Sequence, residues 1–264
     1  MIEISKLTVR YRRGGKPIIK NLSIKFDDKY LILGPNGSGK TTLFRAIAGL
    51  TPIESGEILI DGVSISNIYG RPGLLSVNLN EVYRLLHLSA YDHLKIYIDL
   101  ACGDLDLALE ILSELGLDVN ILKRRKPWEL SAGQHKAFST AIALASKAKH
   151  ILLDEPFEQL DPARKSRLIE YLRKLESIIL LNTHETWLLP ILKDWNTVFM
   201  FEGRVYGPIK AGDLLDSTLV VGEADNAILR FEASSRRYSI VKGGVGEPIT
   251  KLTTLDKVYE LAIR

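Results

Sequence analysis

At 264 residues the chain is long enough for one large α/β domain with a small appendage, and its 46% hydrophobic and 25% charged residues are ordinary for a globular fold. No stretch approaches about 18 consecutive apolar residues, which argues against a membrane-spanning helix, and Met1-Ile2-Glu3-Ile4 lacks the basic start and apolar run of a secretion signal. One cysteine, Cys102, excludes an internal disulfide and suits a reducing cytoplasm, while a formal charge of +3 neither requires nor excludes a nucleic-acid partner.

In chain order, residues 1 to 33 read as three strands. Ile2, Ile4, Leu7 and Val9 lie in the first, and Leu22, Ile24 and Phe26 alternate in the second. Asp27-Asp28 then turns the chain into the short apolar run Tyr30-Leu31-Ile32-Leu33, the kind of strand that is buried on both faces. That run leads into Gly34-Pro35-Asn36-Gly37-Ser38-Gly39-Lys40-Thr41, a glycine, four variable residues, then Gly-Lys-Thr. A helix is predicted from Thr41 through Thr42 to a stop at Gly49.

The physics of that stretch is anion capture. Glycines let the backbone fold back so that the amides of residues 36 to 41 point inward, and the helix adds the positive end of its dipole. Lys40 is predicted to reach the β- and γ-phosphates of a nucleoside triphosphate, with the Thr41 hydroxyl on Mg²⁺. The plain alternative is a glycine-rich turn between a strand and a helix.

Gly56–Gly62 reads as a strand closed by an Asp-Gly turn. From about residue 81 to 130 strand signals vanish, and 81–88, 90–100 and 105–115 carry helical spacing. Lys123-Arg124-Arg125-Lys126 is read as a solvated helix end. Alternation then resumes: a long helix over 132–147, a buried strand at 151–153, a helix over 163–175 behind Pro162, and strands at 177–181 and 197–201. Such alternation predicts a mainly parallel sheet covered on both sides. Past about 208 come three short strands, a turn at Ser234-Ser235-Arg236, and an amphipathic helix over 254–263.

Two further motifs narrow the class. Leu130-Ser131-Ala132-Gly133-Gln134 opens the long helix, and Ile151-Leu152-Leu153-Asp154-Glu155-Pro156 lies just beyond it. Alone, the first is an N-capped helix start with Ser131 as the cap. In the order phosphate loop, signature, Asp-Glu pair, the chain resembles an ATP-binding-cassette (ABC) ATPase over about residues 1 to 207, with Ala132 where the signature usually has glycine.

The fold implied is α/β: a phosphate-loop NTPase with a RecA-like core and N-terminal antiparallel strands, an inserted helical subdomain over about 81–130, and a small α+β appendage over 208–264. By resemblance, Gly34 to Thr42 bind ATP, with Tyr11 stacked on adenine or else an ordinary strand tyrosine. Thr41 and Asp154 hold Mg²⁺, Glu155 polarises the attacking water, and His184 senses the γ-phosphate. Ser131, Gly133 and Gln134 close over the γ-phosphate held by a second subunit, and Asp161 touches that subunit, caps the helix at Pro162, or does both. The family's glutamine after the middle strand, which touches Mg²⁺ and the water and feels the membrane partner, falls here on Asn80, with Asn78 as the alternative; either keeps the amide and loses one carbon.

The resemblance implies a homodimer or heterodimer with a second ABC ATPase subunit and a separate transmembrane permease, with no nucleic acid. It also implies a cytoplasmic protein at the inner face of the cell membrane, hydrolysing ATP to drive transport. Residues 253–261, Thr-Thr-Leu-Asp-Lys-Val-Tyr-Glu-Leu, resemble the ending of ABC-2-like exporter ATPases and favour export. The rival reading is a soluble ABC ATPase without a membrane partner; exposed apolar side chains among 81–100 would favour the transporter.

Overall fold

In a computed structural model, residues 1–12, 14–79, 81, 87–252, 255 and 257 are described. The first strands are β1 (Ile2–Val9), β2 (Ile19–Phe26) and β3 (Tyr30–Leu33), followed by α1 (Lys40–Ile47). Then come β4 (Ser55–Ile60), β5 (Val63–Ser64) and β6 (Leu75–Val77). Four helices come next, α2 (Ala90–Leu100), α3 (Leu105–Glu114), α4 (Val119–Arg124) and α5 (Ala132–Ala145). The chain continues through β7 (His150–Asp154), α6 (Pro162–Lys174), β8 (Ile178–Thr183), β9 (Asn196–Phe201) and β10 (Arg204–Lys210). Last are β11 (Ser217–Val221), β12 (Ala227–Ala233), β13 (Arg236–Lys242) and β14 (Glu247–Pro248). The helix predicted over 81–88 and the one over 254–263 lie largely outside the described residues.

The chain forms two compact units, Met1–Ser66 with Leu180–Arg264, and Asn67–Ile179. In the first, β1 runs antiparallel between β2 and β4. Its alternation of apolar and polar residues buries Ile2, Ile4, Leu7 and Val9. β3 is buried along its whole length and pairs in parallel with both β8 and β9, with Tyr30 opposite Leu180 and Asn196. That is why its four residues carry no alternation. At the turn before it, the Tyr30 hydroxyl donates to Asp27 Oδ1 at 3.0 Å, and its ring meets Phe26 edge-on at 4.9 Å.

β10 is absent from the sequence expectation, and it contains Gly207 and Pro208, two residues that weaken a strand signal. It pairs antiparallel with β9, with a register shift between Tyr206 and Ile209 that absorbs the proline on this strand. β11 to β14 form a separate antiparallel sheet in the order β12-β13-β11-β14. Phe231 of β12 stacks on Phe201 of β9 at 4.5 Å and on Tyr238 of β13 at 5.2 Å, tying the two sheets together. Ser234 and Ser235 make the predicted turn with φ of 51° and 61°.

The second unit is mostly helical, and short polar side chains set its helix starts. Ser89 accepts from Asp92 N–H at 3.1 Å, Asp104 from Leu107 N–H at 3.1 Å, and Asp118 from Asn120 N–H at 2.7 Å. α5 is buried from Ala137 to Ala145, and its run of small residues lets α3 pack close against it. Beside α5, β6 and β7 pair in parallel, Leu75 opposite His150 and Val77 opposite Leu152.

Candidate functional site

The loop after β3 is built for an anion. Gly37 and Gly39 have φ of 78° and 106°, the left-handed region that side chains avoid. A Cβ on Gly34 would sit 2.3 Å from the Met200 carbonyl oxygen, so only glycine fits there. Gly39 caps α1 without a side-chain bond, and no acid lies in the first turn, so the positive end of the helix faces the loop uncompensated. Lys40 is 6% exposed, and its ammonium donates to the carbonyls of Gly34 at 2.6 Å and Pro35 at 3.1 Å. Ser38 Oγ is buried with no partner. Asn36 and Gly37 are exposed at the loop's tip, whereas Thr42 is buried and its Oγ1 lies 3.2 Å from the hydroxyl of Tyr11, itself 50% exposed.

β8 brings His184 to the same loop within the first unit. The Gly34 amide donates to the Thr183 carbonyl at 3.2 Å, so His184 comes directly after a residue bonded to the loop's first glycine. The histidine's own carbonyl accepts from Leu255 N–H at 3.1 Å, and Thr186 Oγ1 donates to the Leu252 carbonyl. The C-terminal segment thus reaches the turn that carries His184, a contact that no sequence pattern signals.

In the second unit the remaining predicted residues gather at one end of α5 and β7. Ser131 is exposed; its Oγ accepts from Gln134 N–H at 3.3 Å and its N–H donates to Gln134 Oε1 at 3.0 Å, a reciprocal capping box. Gly133 lies against Gln159, where a Cβ would meet Oε1 at 3.1 Å. Two residues on, the Asp161 carboxylate accepts from Arg164 N–H at 3.0 Å and caps α6, with Pro162 in its first turn. The capping alternative for Asp161 is therefore realised.

Asp154 ends β7 half-buried, and Glu155 comes next with φ of 45°. Asn80 lies outside the described residues. Asn78, the alternative, is fully buried and bonds Thr140 and the backbone of Asp154. Among the described residues there is no cluster of three or more His, Cys, Asp or Glu side chains arranged around a metal. Mg²⁺ keeps several waters and leans on the nucleotide's phosphate oxygens, so it needs no such cluster. The Thr41 hydroxyl oxygen, in the first turn of α1, is a donor atom of the hard type Mg²⁺ takes.

A strand feeding a glycine-rich anion nest, a buried lysine turned into that nest and a strand ending in two acids define a phosphate-loop nucleotide hydrolase. A family model described as ABC transporter matches residues 19–158. The taurine import ATP-binding protein TauB of Escherichia coli O157:H7 is 33% identical over 195 residues, covering 70% of this chain and 74% of that protein. The thiamine import ATP-binding protein ThiQ of Ruegeria sp. (strain TM1040) is 29% identical over 227 residues, 82% of this chain and 95% of its own. A solved structure provisionally described as a cobalt transport ATP-binding protein (cbiO-2) superposes with a TM-score of 0.90 at 37% identity, covering 99% of this chain and all of that one. The dimeric bacterial cassette MJ0796 shares the fold, with a TM-score of 0.68 at 23% identity over 80% of this chain and 99% of its own. The chain belongs to the ABC transporter family, as its ATP-binding and ATP-hydrolysing cassette. No described helix is long and apolar enough to cross a membrane.

Proposed function

We propose that two copies of this chain, or this chain and a related cassette, close around ATP and use its hydrolysis to drive a separate membrane permease. The observation that carries this reading is the exposed start of α5. Ser131 stands exposed at a helix N-terminus with Gly133 half-buried in the first turn, the arrangement that receives an anion supplied from outside the subunit. In this reading Lys40 and the amides of 34–42 bind the phosphates, Tyr11 packs on adenine, and His184 bonds the γ-phosphate. Gln134 and Asp161 hold the two partner-facing segments in shape.

Mg²⁺, when bound through Thr41 and Asp154, supplies charge neutralisation of the phosphate oxygens. Glu155 orients a water for in-line attack on the γ-phosphorus; the bond from the bridging oxygen to that phosphorus breaks, and ADP and phosphate leave. Residues 1–207 are the ATPase domain, with its helical insertion near 81–130, and 208–264 an appendage with its own sheet. The cassette sits at the cytoplasmic face of the membrane. Leu88, 40% exposed, and Leu100, 67% exposed, give residues 81–100 apolar surface for a permease helix and favour the transporter over a cassette acting alone. The ending at 253–261 favours export, and the likeness to the taurine and thiamine import proteins favours uptake; transport by vesicles carrying the cognate permease separates the two.

The experiment is phosphate release from purified chain with ATP and Mg²⁺. Glu155→Gln should lower turnover at least about 100-fold. Turnover at the parental rate would remove Glu155 from the chemistry.

A further inference from the structure

Two side chains outside the phosphate loop and the signature converge on the peptide joining Asp154 to Glu155, and both lie in the second unit. Lys136 Nζ donates to the Asp154 carbonyl at 2.8 Å. Asn78 Nδ2 approaches the same oxygen at 3.4 Å, while its Oδ1 accepts the Asp154 N–H at 2.6 Å. The geometry comes from the parallel register. β6 ends at Val77 opposite Leu152, and the Asn78 N–H makes the next ladder bond, to the Leu152 carbonyl at 3.1 Å. The Asn78 side-chain amide then gives and accepts one bond with Asp154, as a peptide of a paired strand would.

That amide is itself fixed. Asn78 is fully buried, and its Nδ2 also donates to Thr140 Oγ1 at 3.2 Å. Thr140 and Lys136 stand four residues apart on α5, hence on one face of the helix. The peptide they hold leads into a residue in an uncommon conformation: Glu155 has φ of 45°, which a non-glycine residue keeps only when its surroundings impose it. A carbonyl bonded to an ammonium is held more firmly than one bonded to a neutral donor.

We propose that Lys136, with Asn78, is a positioning residue: it fixes the plane of the Asp154–Glu155 peptide and thereby aims the Glu155 carboxylate. The proposal rests on the reading of Glu155 as the group that orients the attacking water. Because α5 begins at the Ser131 cap, one helix carries both the segment offered to the second nucleotide and the lysine that sets the acid of its own subunit. Seating of the signature on a phosphate and alignment of Glu155 are then linked through a single element.

The test is Lys136→Met, which keeps the aliphatic stem and removes the donor. Turnover number should fall about 10-fold with the KM for ATP changed less than about twofold, and Lys136→Arg should restore most of the rate. In a Glu155→Gln background, Lys136→Met should alter the single-turnover rate less than about twofold, because the group it aims is gone. If the Met variant fails to fold, Lys136→Gln, too short to reach the carbonyl, is expected to show the same loss confined to turnover number. A parental rate in the Lys136 variants, or an equal loss in both backgrounds, overturns the positioning role while leaving Glu155 in place. Parental turnover by Glu155→Gln alone would instead overturn the role of Glu155 and leave Lys136 nothing to aim.

Discussion

Ser131 and Gln134 bond each other twice, side chain to backbone in both directions, at 3.0 and 3.3 Å. The serine proposed to meet a partner's phosphate is therefore also the cap of the helix beneath it. Ser131→Ala should cost about 1 kcal/mol of stability through the lost cap. It should also abolish stimulation of turnover by protein concentration. Ser131→Asp, which still caps, should keep the stability and lose the stimulation, since a second negative charge meets the phosphate. Chemical denaturation alongside ATPase assays at several concentrations separates the two effects.

Lys40 is held inside its loop by the carbonyls of Gly34 and Pro35. Lys40→Ala removes a charge-assisted bond to phosphate, and calorimetry should record an ATP affinity lower by at least about 10-fold. Unchanged affinity would remove the loop from nucleotide binding.

The loop also leans on a glycine far along the chain. Gly203 donates to the Ser38 carbonyl at 2.9 Å with φ of 79°, and a Cβ there would lie 1.9 Å from the Ile18 carbonyl oxygen. Gly203→Ala should lose about 2 kcal/mol or more, measured by urea unfolding. Gly70, with φ of 72° and open space around its Cα, should lose only about 1 kcal/mol on the same change.

Asp104 caps α3 by accepting the Leu107 amide, and that bond, with the Lys147 ammonium, holds its carboxyl below the ordinary aspartate range. A folded-state value lower than the unfolded one adds stability above the unfolded pKa and loses it as pH falls through the folded one. The melting temperature of Asp104→Ala should thus lie below the parent's at pH 7, with the gap closing as pH drops below about 4.

Much of this was legible in the sequence because the chemistry is local. The phosphate loop, the caps at Ser131 and Asp161, and the fully apolar β3 each arise from a few adjacent residues. β6 was too short to read, and β10 was masked by Gly207-Pro208. The part played by Asn78 depends on the β6–β7 register, which no neighbouring residue encodes. Lys136 carried no signal either, because a lysine one turn into a helix is ordinarily a solvated one. The approach of Leu252 and Leu255 to the His184 turn joins residues about 70 positions apart, beyond the reach of any pattern.

The central claim is that ATP joins two cassettes through the exposed start of α5, and Glu155→Gln tests it most directly because bound ATP then persists. Light scattering at saturating ATP and Mg²⁺ should give twice the monomer mass, returning to the monomer when Ser131→Arg is added. A Glu155→Gln protein that binds ATP yet keeps the monomer mass would contradict the account.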